Sequence, residues 1–323
     1  MVPIQMNNSF AEVHYLLVKD NILHHINRVL KAGKIKKNKV DVNLSTALRI
    51  YLTTLSNETN DLLKNLIIFS PEELRDYVSN QNNINSSFID VNNDDNTILK
   101  NIFVSQGYEI GLDKWEFINR NTIDTCSYCN RNYIYTTSKN KKIKPEIDHF
   151  FPKSKYPILG LSYFNLIPSC KSCNGFGAKE EKDPHIEGLI NPYLLKSSDF
   201  VFTHKIKNIA IINPLIGKSD VEIHFKSALQ GHLDVFNLQG LYELHNDHAL
   251  ELIIKKRIKY SKKYREYLNS YSSSGLKFSN TEIDRMILGN YTLEKDQHKR
   301  PLSKLYQDLG KELGLIKKVK NSN

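Results

Sequence analysis

The chain contains four cysteines, and all of them fall in two Cys-x-x-Cys hooks, Cys126/Cys129 and Cys170/Cys173. Paired hooks offer four thiolates, the donor set that zinc accepts in tetrahedral structural sites. A redox dithiol would need one pair, and stable disulfides belong to oxidising compartments. The spacing therefore predicts one structural Zn²⁺ held by Cys126, Cys129, Cys170 and Cys173. Forty residues separate Cys129 from Cys170, more than a plain zinc ribbon requires, and Asp148-His149 stands near the middle of that interval. A metal joining the hooks closes a loop whose far point is an acidic residue beside a histidine. It also carries Asn174, directly after the last cysteine, back toward that point.

These side chains suit hydrolysis of a phosphodiester. A water must be deprotonated by a base of near-neutral pKa, which makes His149 the candidate general base. Negative charge gathers on the phosphate and the leaving oxygen, and a divalent cation can neutralise it. Mg²⁺ is commonly held by one or two protein oxygens plus phosphate oxygens and waters; Asp148 can give a carboxylate oxygen and Asn174 an amide oxygen. The expected catalytic ion is Mg²⁺ or Mn²⁺.

From Cys126 to about Lys179, roughly a sixth of its length, the chain resembles the His-Asn-His (HNH) endonucleases with a ββα-metal core, in the subgroup whose core is flanked by two Cys-x-x-Cys hooks. The resemblance assigns His149 as general base, Asp148 as the acidic metal ligand and Asn174 as the last metal-binding position. Asn165, in Asn-Leu-x-x-x-Cys context, becomes the residue that braces the hairpin loop. The family often has a lysine three residues after the final Asn; here Phe176-Gly177-Ala178 delays it to Lys179. His185 is the other candidate for the third position, but it follows a proline well past the hook. The implied activity is cleavage of nucleic acid, DNA foremost. An RNA-cleaving toxin of the same fold and a zinc-dependent binding or scaffold module with an inactive site stand as alternatives.

The elements that must position these residues give an α+β protein in three segments: a helical region over 1–120, a zinc-stapled ββα core over 121–195, and short strands plus helices over 196–323. Ile22, Leu23, Ile26, Val29 and Leu30 recur at helical spacing before the stop at Gly33. Ser70-Pro71-Glu72-Glu73 has the layout of an N-cap, a first-turn proline and a capping-box Glu. Lys31 to Lys39 reads as a solvated loop, with contact to phosphate as the alternative, and the Asn-rich stretch Asn80 to Asn96 as a loop or hinge. Later, Phe200-Val201-Phe202, Ile209 to Ile212 and Val221 to Phe225 read as short strands. A helix is expected from about Asp247 to Leu268, with Leu250, Ile254, Ile258 and Leu268 on its apolar side and Lys255, Lys256, Lys259, Lys262 and Lys263 around the rest. His245 and His248 near its start read as solvated capping residues. Leu302, Leu305, Leu309 and Leu313 mark a last helix.

Hydrophobic residues make up 40% and charged residues 25%, the balance of a globular protein. No apolar run approaches about 18 residues, so no membrane span is expected. Met1 to Phe10 lacks the basic-then-apolar layout of a secretory signal, and the expected compartment is the cytoplasm. The net charge of +10, from 45 basic and 35 acidic residues, favours a polyanionic partner. Lys153, Lys155, Lys171 and Lys179 are the candidate phosphate contacts within the core. The large flanks are similar in layout to antiphage HNH effectors that act beside an ATPase, which implies a partner ATPase or regulatory protein.

Overall fold

The computed structural model describes residues 1–80, 85–137, 145–175, 177–207, 217–257 and 260–316. It is an α+β protein whose strands form small antiparallel two-stranded sheets. The chain divides into two compact units: an N-terminal unit of Ile4–Ile123 and Ile134–Leu194, and a C-terminal unit of Met1–Pro3, Asp124–Tyr133 and Leu195–Asn323. Among the described residues, no helix is long and apolar enough to cross a membrane.

The N-terminal unit opens on α1 (Asn8–Ala32). Asn7 caps its start by accepting from the Phe10 N–H, and Gly33, at φ 67°, ends it by donating to Val29 O. His14, Val18, Ile22, Ile26 and Val29 form its buried stripe. Lys34–Lys37 (β1) and Val40–Asn43 (β2) follow as a tight hairpin, in place of the expected solvated loop. Asn38 and Lys39 both take positive φ, 50° and 70°, as a two-residue turn of this hand demands. Next come α2 (Thr46–Ser56), α3 (Leu62–Ile68) and α4 (Pro71–Ser79), the last with the Ser70/Glu73 capping box that its sequence announces.

The Asn-rich stretch is more ordered than expected. Residues 81–84 lie outside the described residues, but α5 (Ser86–Ile89) and α6 (Asp94–Leu99) follow, and Asn85 and Asn93 cap them through their side chains. The asparagines act here as helix starts, and composition alone does not separate that role from a loop. A π-wound helix over Lys100–Gly111 continues α6, and α7 (Lys114–Asn121) starts at the cap Asp113. The unit is completed by the short strands β3 (Glu146–His149) and β4 (Leu166–Ser169) and the one-turn helix α8 (Lys171–Asn174).

In the C-terminal unit the described residues form the hairpin β5 (Val201–Ile206) and β6 (Val221–Ser227) and the helices α9 (Gln230–Phe236), α10 (Leu238–Glu243), α11 (Asn246–Arg257), α12 (Tyr260–Ser270), α13 (Asn280–Leu288) and α14 (Ser303–Glu312), with α10, α11 and α14 packed on the hairpin. Phe202, Val221, Ile223, Leu252, Leu305 and Leu309 lie in one core. The strand expected over Ile209 to Ile212 lies outside the described residues, as do Ile258 and Lys259 of the expected long helix. The described residues of that helix are α11 and α12, and the buried face in α11 is Ala249, Leu252 and Ile253, while Ile254 is exposed. Inside this unit Lys304 and Asp308, one turn apart on α14, form a buried ion pair at 2.6 Å, and Asp308 also accepts the Phe202 N–H.

His14 gives the N-terminal unit an acid-sensitive joint. Its ring is buried between Phe117 and Tyr163 and donates through Nε2 to Leu161 O at 2.8 Å. Burial, helped by Arg120, lowers its pKa to about 4. The native state thus holds a neutral ring that the unfolded chain protonates near pH 6.5, so this contribution is full above that pH and lost as pH falls toward 4. A shift of this size corresponds to about 3 kcal/mol. Buried His149 adds a loss of the same sign, so in urea denaturation between pH 7 and 4 His14→Gln should reduce the loss seen in wild type by about 3 kcal/mol rather than abolish it.

Candidate functional site

β3 and β4 pair in antiparallel register, Asp148 opposite Ile167 and His149 opposite Leu166. The loop between them is held by its own main-chain carbonyls. Asn165 is fully buried: its Oδ1 accepts the Phe151 N–H at 2.7 Å, and its Nδ2 donates to Phe151 O and to Leu159 O. His149 reaches the next carbonyl, Gly160 O, through Nε2 at 3.0 Å, and His14 takes the one after it, Leu161 O. Ser162 Oγ then donates to Leu66 O on α3. Gly160 is needed because a Cβ there would lie 2.9 Å from Pro157 O and 3.1 Å from Val104.

A carbonyl oxygen only accepts, so the bond to Gly160 places the ring proton of His149 on Nε2. The neutral ring then carries its lone pair on Nδ1. Burial, together with the charges of Lys153, Lys114 and Lys179, lowers the pKa of His149 to about 3, opposed by the bond to Gly160. Tyr108, from the π-wound helix, sets its ring edge-on to His149 with centroids 4.4 Å apart and donates its hydroxyl to Ile147 O. The ammonium groups of Lys114 and Lys153 lie 4.3 and 5.0 Å from the centre of the Tyr108 ring.

Asp148, His149 and Asn174 line one cavity of about 120 Å³, with Lys153, Glu180 and Glu181 at its walls. Asn165 does not line it; its contacts are with the loop. Asn174 is held from below: its Nδ2 donates to Glu146 Oε2 at 2.8 Å, which leaves its Oδ1 as the atom able to meet a cation. Glu146 was not singled out from the sequence, although it stands two residues before Asp148 on a strand and so on the same face. Tyr108, about forty residues upstream of the motif, has no local signal at all. Of the other candidate phosphate contacts, Lys179 is buried and donates to Lys182 O, Lys155 pairs with Asp183 at 2.7 Å, and Lys171 is exposed. His185 is exposed and lines a different cavity, beside Phe150 and Phe151.

All four cysteines are buried, two in each hook, and thiolates are donors that a metal such as zinc accepts. Each hook has its own scaffold. At the first, Asn130 turns back at φ 51° and donates to Cys126 O, the Arg131 N–H meets Cys129 Sγ at 3.4 Å, and the Tyr242 hydroxyl donates to Cys129 O. At the second, the Cys173 and Asn174 N–H groups both donate to Cys170 O, and the Lys179 N–H donates to Cys173 O. His245, Asp247 and His248 also cluster, but Arg131 Nε donates to His245 Nε2 at 2.9 Å and occupies the lone pair that a metal would need.

No family model matches the chain, and no solved structure matches it. Among curated proteins, the Septu protein PtuB of Bacillus thuringiensis is 38% identical over 80 residues, 24% of this chain and 29% of that protein. The match therefore spans less than a third of the relative.

Two measurements follow from this geometry. Asn165→Ala removes three buried hydrogen bonds and should lower the unfolding free energy by about 2–4 kcal/mol, whereas Asn174→Ala, at a half-buried position, should cost under about 1 kcal/mol; equal losses in urea titrations would refute the distinction. Elemental analysis of the purified protein should find about one zinc per chain, and Cys126→Ser should lose it together with much of the stability, since such sites contribute on the order of 10 kcal/mol.

Proposed function

We propose that this chain is a metal-dependent endonuclease of the HNH type that hydrolyses phosphodiester bonds in nucleic acid, with DNA as the foremost substrate. The observation that carries the reading is the meeting of Asp148, His149 and Asn174 in one cavity, with the proton of His149 already assigned to Nε2. Asp148 and Asn174 offer oxygen donors, which suit a hard divalent cation such as Mg²⁺ or Mn²⁺. When bound, such an ion would neutralise charge on the phosphate and the leaving oxygen. His149 takes a proton from water through Nδ1, while Gly160 O and the Tyr108 ring keep the imidazole from turning. Lys114 and Lys153 favour an anion beside the histidine; that anion in turn raises the basicity of a ring which its cationic surroundings otherwise depress. Glu146 positions Asn174, and Asn165 keeps the loop in shape without touching the reacting atoms. The cysteine group serves as a structural zinc site.

The likeness to a Septu protein supports a role in antiphage defence alongside partner proteins, and the layout resemblance suggests that an ATPase is among them.

Incubation with plasmid DNA, single strands and RNA, each with Mg²⁺, Mn²⁺ or EDTA, should give ion-dependent cleavage, with DNA the preferred substrate. His149→Ala should slow cleavage by about a hundred- to ten-thousand-fold while nucleic-acid binding persists, because phosphate contacts come mostly from other residues. Asp148→Ala should abolish cleavage. Wild-type rates in the His149→Ala protein would overturn the assignment.

A further inference from the structure

The β1–β2 hairpin is a second charged surface in the unit that carries the cavity. Residues 31–43 hold five lysines, Lys31, Lys34, Lys36, Lys37 and Lys39, against the single acid Asp41. All five lysines are exposed, and among the described residues only Lys34 is ion-paired, with Asp41. A tight hairpin holds these charges as a fixed array, which a solvated loop would not. Its other face is anchored: Val42 is buried, β2 packs on α6, and Lys37 Nζ donates to Thr97 Oγ1 at 3.4 Å.

That anchor connects the hairpin to the cavity. Thr97 lies on α6, and the π-wound helix continues without a break to Tyr108, whose ring meets His149. One residue before Thr97, Asn96 reaches Lys155 O at 3.5 Å, just past the segment that lines the cavity. Eleven residues along this helix lead from Thr97 to Tyr108.

We propose that the β1–β2 hairpin, through Lys36 and Lys39, grips backbone phosphates of the same nucleic acid whose scissile bond is held at the cavity. The proposal rests on the nuclease reading above, since it takes the same nucleic acid to span both surfaces. The hairpin binds without regard to sequence and takes no part in the chemical step. A basic surface that recognises an acidic protein segment is the rival, and the experiment separates the two.

Binding of the full chain to a duplex of about 30 base pairs is measured by fluorescence anisotropy in EDTA across a salt series, for wild type, Lys36→Glu/Lys39→Glu and the milder Lys36→Gln/Lys39→Gln. The charge-reversal variant should bind at least about tenfold more weakly, and the glutamine variant should lower the slope of log affinity against log salt by about 1.8, or about 0.9 for each phosphate that is no longer neutralised. Cleavage at saturating DNA with Mg²⁺ should stay at the wild-type rate in both variants. Unchanged affinity and slope in both variants, with wild type binding and cutting normally, overturn the hairpin assignment, leave the nuclease reading intact and point to a protein partner. A wild-type protein that neither binds nor cuts nucleic acid overturns the nuclease reading and this proposal with it.

Discussion

Three successive main-chain carbonyls, Leu159, Gly160 and Leu161, are each taken by a side chain from a different part of the N-terminal unit: Asn165, His149 and His14. Buried carbonyls need partners, and here each partner is itself a buried polar group that needs an acceptor. The solution is mutual. Asn165 shapes the loop, His149 acquires a defined tautomer, and α1 is joined to the turn that orients it. Ser162 extends the series by reaching Leu66 on α3. Neither the histidine nor the long first helix can move without orphaning a group inside the unit, and a buried orphan costs on the order of 1–3 kcal/mol.

That arrangement also sets the electrostatics. His149 sits out of water beside lysine charges, and both effects favour the neutral ring. Tyr108 mediates between them: its ring packs on the histidine while ammonium groups rest near it, and burial with the nearby Asp148 carboxylate raises its phenol so that it stays a hydroxyl donor. The cavity is therefore cationic at one wall and carboxylate-lined at another, as Lys153 and Glu180 illustrate. A group that arrives with both a phosphate and a divalent cation would satisfy both walls.

How much of this was legible in the sequence differs from residue to residue. The cysteine hooks announce themselves because metal ligation demands short, regular spacing. The α4 capping box is equally local, as is the stop at Gly33. Lys34 to Asn43 escaped because lysines on both faces mask the alternation by which a strand is recognised, and Asn85 and Asn93 escaped because a cap and a loop use the same residue. His14 and Tyr108 could not be read: their roles depend on contacts across about 150 and 40 residues of chain. The compact units also interleave along the sequence. Residues Asp124–Tyr133 belong with the C-terminal unit because Asn130 takes the Lys304 N–H on its side chain and the Leu302 N–H on its carbonyl, links that no composition profile reveals.

Holding His149 by a backbone oxygen, where many enzymes use a carboxylate side chain, changes what mutation can reach. Every residue type supplies a carbonyl, so drift at positions 159 and 161 leaves the acceptors in place as long as the turn keeps its path. Position 160 alone is closed, because any side chain larger than hydrogen collides with Pro157 O. The orientation of the histidine is thus written in the course of the main chain and guarded by one glycine, which makes it tolerant of sequence change around it and intolerant of any change in loop length.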